Sequence, residues 1–434
     1  MKSLLIPIAT NYLNGTPISI PREFHSYCIG KTRVGKSAFL GNVSEYLIGQ
    51  DEGLTVIDPH GNLVDRLLAR IPRYRMEHKR HDVILLRASV GAFPGINPFT
   101  GPGTDDEKVS NIVDTFAKTF ESSWGESSDS VLRWACYAVL EQPTTPTFAI
   151  VKRFLKNDEF MKQCLKNVTR QDVLDEFSGY EKQEWKKVRA ERIAPLLNKL
   201  DKFIINKNVQ MITTQEQALD FKRVISEGKV LLADLSGFGR KERSILGALI
   251  LNMLLLASQS RVPNRGRYHS IVVDEAQTFV TAPYDYILSE LGKYRVTMHV
   301  ATQFMAGFPE MARDGITGNC NTEVVFRVGG KDAKLMTEEL TMEQQPRALQ
   351  DLYNRQAYIR YLSFDEKWDT YKPEGPVRVV MNPPAPPQGD ELPSHHVVKE
   401  SIEWFSKTGD KSGDKGGDTT SPPDQRKSID KYIA

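Results

Sequence analysis

Seven short runs rich in β-branched and aliphatic residues, each bounded by glycine, proline or charge, recur along the chain: Phe24–Gly30, Leu54–Asp58, Asp82–Leu86, Lys229–Leu235, His269–Glu275, Thr297–Gln303 and Thr322–Val328. Near-continuous apolar runs of this length are the pattern of strands covered on both faces. Helix-period segments fall between some of them, at Ser37–Leu47 and Ile245–Leu255. Strands alternating with helices predict an α/β fold on a parallel-rich sheet. The longest apolar stretch, Ala248–Ala257, is too short to cross a bilayer and carries Asn252, so it predicts a buried helix. Near the N-terminus the run Leu4–Ile6 stops at Pro7, too short for a signal peptide or a membrane span.

Between Asp106 and Phe221 strand candidates thin out and charged, helix-period stretches take over. The chain therefore divides into an α/β core carried by 1–105 and 223–381, an all-α insertion at 106–222, and a tail at 382–434. Val151–Lys207 holds fourteen Lys and Arg against nine Asp and Glu, a local basic surplus whose plain reading is a solvated helical face. The tail is rich in Pro, then in Lys, Gly, Asp and Ser, and is expected to be mostly disordered. Within it Val397–Phe405 is a candidate short helix and Ser428–Ala434 a candidate docking peptide.

Composition narrows the function classes only a little. With 434 residues and 40% hydrophobic content the chain can bury a large core. Lys and Arg exceed Asp and Glu by 57 − 55 = 2, so any surface for a polyanion must be local. Cys28, Cys136, Cys164 and Cys320 lie far apart with no CxxC pair, which argues against a zinc site or a disulfide framework and fits a reducing cytoplasm.

The chemistry is carried by two segments. Gly30-Lys31-Thr32-Arg33-Val34-Gly35-Lys36-Ser37 is a P-loop pattern placed after a predicted strand and at the start of a predicted helix. Its glycines would let backbone N–H groups curl around phosphate, Lys36 would reach the β- and γ-phosphates of ATP, and Ser37 would join the shell of Mg²⁺. Average residue frequencies put such a match in roughly one or two of every hundred chains this long. The second segment, Ser270-Ile271-Val272-Val273-Asp274-Glu275, is an apolar run ending in two acids. Asp274 is expected to hold Mg²⁺ and Glu275 to act as general base on the attacking water. Asp234, ending the run Val230–Ala233, competes for the metal role but has no acid after it, and Asp274 is preferred. A third run ends at Thr302-Gln303, where Gln303 is the candidate sensor of the γ-phosphate.

Together these motifs resemble the HerA/FtsK superfamily of DNA-pumping ATPases, and within it the TraG/TraD-like coupling proteins of conjugation and type IV secretion. The resemblance runs from about Ile18 to Val380. It is carried by His25–Ser37, Val56–Leu63 with its Asp58-Pro59-His60-Gly61, Ile96–Phe99, Ser123–Gly125, Val230–Gly237, Leu246-Gly247, Val273–Gln277, Lys293–Val296 leading to Gln303, and Asn321–Ala333. It implies a RecA-like P-loop NTPase core with an inserted all-α domain, a homohexameric ring, and ATP hydrolysis at subunit interfaces that moves DNA. Phe39 joins the P-loop positions as part of the implied nucleotide site. A shared site needs a cation from the neighbour; Arg295 is the first choice for that arginine finger and Arg327 the second. His60 is either a structural histidine or a DNA contact. Membrane-bound members carry transmembrane helices and HerA proteins an N-terminal β-barrel; neither precedes Gly30 here, so a soluble, pared-down form is expected. The partner would be DNA, with a relaxase or secretion component beside it. Competing readings are a motor serving a nuclease, a protein-translocating secretion ATPase, and a nucleotide switch that scarcely turns over.

Overall fold

A computed structural model describes residues 4–71, 82–88, 94–178, 186–215, 218–279, 283–306, 308–365 and 367–384. The candidate helix at 397–405 and the peptide at 428–434 lie outside the described residues.

Among the described residues eleven strands form one sheet: β1 (Leu5–Asn11), β2 (Pro17–Pro21), β3 (Ser26–Ile29), β4 (Gly53–Asp58), β5 (Val83–Arg87), β6 (Val230–Asp234), β7 (His269–Val273), β8 (Val296–Thr302), β9 (Thr322–Val325), β10 (Gln356–Asp365) and β11 (Thr370–Met381). Their order is β2-β1-β11-β10-β9-β3-β8-β7-β4-β6-β5. The seven strands from β9 to β5 are mutually parallel, and they are the seven runs read from the sequence. Every residue of β4, β6, β7 and β8 is buried, as strands covered on both faces require. In register, Cys28 lies beside Ala301 and Val324, and Val56 beside Val272 and Leu232. That row faces Phe39, Leu40, Val43 and Leu47 of helix α1 (Lys36–Gly49) in the main apolar core.

β10, β11, β1 and β2 extend the sheet in antiparallel fashion and were not expected from the sequence. Their pattern is weak for physical reasons. β11 contains Lys372, Pro373, Glu374 and Pro376 and is largely exposed in that half. β1 contains Pro7 at a register shift against β2, where a residue lacking an N–H is tolerated.

The chain separates into two compact units, and the whole sheet belongs to the first, 1–93 with 222–237 and 261–434. The second is helical and comprises 94–221 together with 238–260, so it takes in a segment beyond the 106–222 read from the sequence. Its first long helix, Asp105–Thr119, starts in a capping box in which Thr104 and Glu107 satisfy each other's backbone N–H groups. Phe99, Phe116, Phe148 and Phe203 fill its core at tilted and edge-on angles, with centroids 5.1 to 5.6 Å apart. The apolar helix Arg240–Gln259 is buried almost all round from Ile245 onward, and Asn252 inside it donates to Thr115 Oγ1 at 3.5 Å. Among the described residues no helix is long and apolar enough to cross a membrane.

Candidate functional site

The candidate residues of the P-loop and of the acidic strand end gather at the carboxyl ends of the parallel strands, where open α/β sheets place their ligands. β3 ends at Ile29 and α1 begins at Lys36, and the turn between them is anchored at both ends. Gly30 N–H donates to Thr302 O at 3.2 Å and Lys31 N–H to Arg327 O at 2.9 Å, while Val34 O accepts from Arg355 N–H at 2.6 Å. Arg33 (φ 63°) and Gly35 (φ 135°) curl the backbone into the left-handed region. A Cβ on Gly35 would come within 2.6 Å of the Phe326 ring, so both the backbone angle and the packing demand glycine there. Arg66 donates to Ser37 O at 2.8 Å and steadies the first turn of α1. Phe39 is fully buried in the core, so any contribution it makes to a nucleotide would come through its backbone.

β7 delivers the two acids next to this turn. Asp274 N–H donates to Ile57 O of β4 at 3.0 Å, and Glu275 follows with φ 47°. A left-handed glutamate is costly for an L-residue and persists only where its surroundings hold it, as active sites do. Lys36 Nζ donates to Gly30 O at 2.8 Å and Lys31 O at 3.2 Å, and lies 3.6 Å from Glu275 Oε1. All three charged groups are buried, with Lys36 4%, Asp274 6% and Glu275 8% exposed. Burial, then the nearby Asp58 and Glu275 carboxylates, push Asp274 from 3.8 up to about 7, against the pull of the Glu275 N–H and Lys36. Burial and like charge thus outweigh the one cation, Lys36, that acts on Asp274.

Two other acids at neighbouring strand ends are already committed. Asp58 accepts from the N–H groups of His60, Leu63 and Val64 at 2.8, 2.7 and 3.2 Å and so caps helix α2 (Asn62–Leu68). Asp234 pairs with Arg87 at 2.6 Å and accepts from Ser236 N–H at 2.8 Å.

Gln277 joins the parts, a role its place in the sequence did not signal. Its amide N–H donates to Glu275 Oε2, while its carbonyl accepts from Thr302 Oγ1 at 2.9 Å and Gln303 N–H at 3.3 Å. The side chain therefore ties the candidate base to the end of β8, and Gln303 takes part through its backbone. Gln277→Ala is expected to lower the turnover number for ATP roughly tenfold to a hundredfold, because a displaced base loses orientation, with little change in KM. Steady-state kinetics check this, and an unchanged turnover number would remove Gln277 from the site.

No family model matches the sequence, and no curated protein matches it. Solved structures do. The chain is similar to the bacterial conjugative coupling protein TrwBdeltaN70 in its sulphate complex, with TM-score 0.63, 12% identity, and coverage of 91% of this chain and 97% of that one. It is similar to VirB4 of Thermoanaerobacter pseudethanolicus, with TM-score 0.60, 13% identity, and coverage of 88% and 96%. The chain has the fold of TrwB and VirB4. The RecA-like α/β class and the likeness to coupling proteins read from the motifs both meet their counterpart in these structures.

Within this TrwB-like fold the two arginine candidates take different positions. Arg327 lies beside the P-loop of its own chain: its carbonyl holds Lys31, and its guanidinium donates to Leu352 O at 3.1 Å and Asn354 Oδ1 at 3.0 Å. Arg295 precedes β8, donates to Gly266 O at 3.1 Å and lies 5.4 Å from the Tyr268 ring centre. β8 is seven residues long, so Arg295 stands a strand's length, on the order of 20 Å, from Thr302, whose carbonyl anchors Gly30. His60 is exposed.

The donor set also bears on a metal. Among the described residues no cluster of three metal-ligating side chains occurs. One carboxylate and one hydroxyl beside a phosphate cradle suit Mg²⁺, which keeps most of its water and takes phosphate oxygens as ligands.

Proposed function

We propose that this chain is an ATPase that moves DNA, working as a homohexameric ring of the kind the motif resemblance implies. The observation that carries the reading is Lys36 beside Glu275, with Asp274 next to them, all buried at the mouth of a curled, glycine-bearing turn. TrwB has been solved with ADP and Mg²⁺ and with the ATP analogue ADPNP. That supports nucleotide binding by the same fold here.

In the proposed reaction the P-loop N–H groups from Thr32 to Ser37 orient the β-phosphate, while those of Gly30 and Lys31 stay on Thr302 O and Arg327 O, and Lys36 turns from the Gly30 and Lys31 carbonyls to the γ-phosphate. Ser37 and Asp274 would hold Mg²⁺, which supplies charge neutralisation when bound. Glu275 takes a proton from water as the water oxygen bonds to the γ-phosphorus and the bond from that phosphorus to the ADP oxygen breaks. Gln277 and Gln303 carry the change in phosphate occupancy to β8. Arg295 of one subunit would reach the site of the next, where a cation stabilises the transferring group.

Hydrolysis measured with single-stranded DNA, duplex DNA and no DNA tests the cargo, beside a mass determination with a non-hydrolysable analogue. DNA is expected to raise the rate several-fold at low salt, with the effect fading as salt rises, because phosphate contacts release counterions. A rate indifferent to DNA would leave an ATPase and remove the DNA cargo; a rate raised by peptides alone would favour protein translocation. A monomer with bound analogue would remove the ring.

A further inference from the structure

The helical unit holds a cavity of about 240 Å³ ringed by Lys202, Arg240 and Lys241 over an apolar floor of Phe120, Phe203 and Ile245. All three cations are exposed. Among the described residues none of the three has a carboxylate within ion-pair distance. Their neighbours in the unit differ: Lys152 pairs with Asp201, Arg192 with Glu176, and Arg170 with Asp106.

The acid on the cavity wall, Glu242, forms no ion pair with the three cations among the described residues, which leaves cations in excess there. Glu242 folds back against its own helix start, so close that a Cβ on Gly239 would meet its carboxylate oxygen at 2.3 Å. Lys241 is steadied without losing charge, its ammonium 4.6 Å from the centre of the Phe120 ring. Lys199, one turn before Lys202, is held below the ordinary lysine range by burial and then by the charge of Lys202. Like charges gathered on a low-dielectric floor repel each other and gain from an anion.

Resting on the reading of the chain as a DNA-moving ATPase, we propose that this cavity binds phosphate groups of a single-stranded nucleic-acid backbone, a contact point distinct from the P-loop. Both phenyl rings are buried, so bases have no ring to stack on and the grip would be independent of sequence. The basic surplus of Val151–Lys207 then has a focus in Lys202 rather than being a uniformly solvated face.

The test is anisotropy of a labelled oligothymidine with the full chain, without ATP, over a salt series. K202Q/R240Q/K241Q is expected to weaken binding at least about tenfold at low salt and to flatten the slope of log affinity against log salt by about two, at roughly 0.7 per single-strand phosphate contact. R240Q alone should flatten it by about 0.7, and K166Q, an exposed change elsewhere in the unit, should leave it unaltered. Thermal unfolding checks that the variants fold. Equal slopes for wild type and the triple variant would overturn the proposal. So would pyrophosphate binding that differs between these two proteins while oligonucleotide binding does not, since that difference isolates a site for free phosphate compounds from the P-loop. Basal hydrolysis without DNA should be the same in both proteins; it reads the P-loop assignment separately, so either proposal can fail alone.

Discussion

Glu275→Gln is expected to lower the turnover number for ATP by about two to four orders of magnitude, the usual span for removing a general base, while ATP binding is kept or tightened. The reason for the split lies in the charges. Glu275 sits 3.6 Å from Lys36, so its carboxylate competes with phosphate for that ammonium. A neutral amide of nearly the same shape ends the competition and can still accept from Gln277, but it cannot take a proton from water. Single-turnover hydrolysis beside equilibrium binding of a fluorescent ATP analogue measures both quantities. Turnover within about threefold of wild type would mean that another group activates the water, and Asp274 would be the next to test.

Asp274→Asn is expected to do two opposite things. Burial among carboxylates raises the Asp274 pKa from 3.8 to about 7, so between these values the folded chain keeps a proton that the unfolded chain has released. Its contribution to stability is present in full below pH 4 and is lost as pH rises toward 7, at about 1.4 kcal/mol per pH unit. Asparagine has no proton to lose. At pH 8, without nucleotide, the variant should therefore be more stable than the wild type by a few kcal/mol, and the difference should vanish near pH 4. The same substitution should abolish the part of nucleotide affinity that depends on Mg²⁺. In the wild type that part should weaken below pH 7, where a proton competes with the metal for the carboxylate. Calorimetric unfolding from pH 4 to 8 tests the first effect, and nucleotide titration with and without Mg²⁺ tests the second. A variant no more stable than wild type at pH 8 would show that Asp274 is ionised at no cost in the ligand-free chain.

The proposed activity and the stability of the fold are thus set against each other at one position. An Arg pairing like that of Asp234 with Arg87 would relieve Asp274. It would also remove the negative charge that a divalent cation needs. The left-handed Glu275 carries a similar compromise in the backbone.

Much of this site was legible from residue order because its chemistry is local. A P-loop needs its glycines, Lys36 and Ser37 within eight residues, and an acidic strand end needs only adjacent Asp274 and Glu275. The buried parallel strands were equally plain, since a strand covered on both faces must be apolar throughout. The antiparallel flank was not plain. β10 and β11 are half-exposed, admit charge and proline, and give no period strong enough to stand out.

Residue order alone sets the α/β class, the order of the parallel strands' motifs and the candidate phosphate and acid segments, because each is written in a short stretch that obeys its own periodicity or spacing. Which acids stay available depends on long-range packing: Asp58 and Asp234 are used by a helix start and by Arg87, whereas Asp274 accepts only from the N–H of its neighbour Glu275 among the described residues. That packing alone brought Gln277 between Glu275 and Thr302, and grouped Arg240–Gln259 with the helical unit. Those outcomes depend on which distant side chains meet, and contacts between residues far apart in the chain leave no local pattern to read.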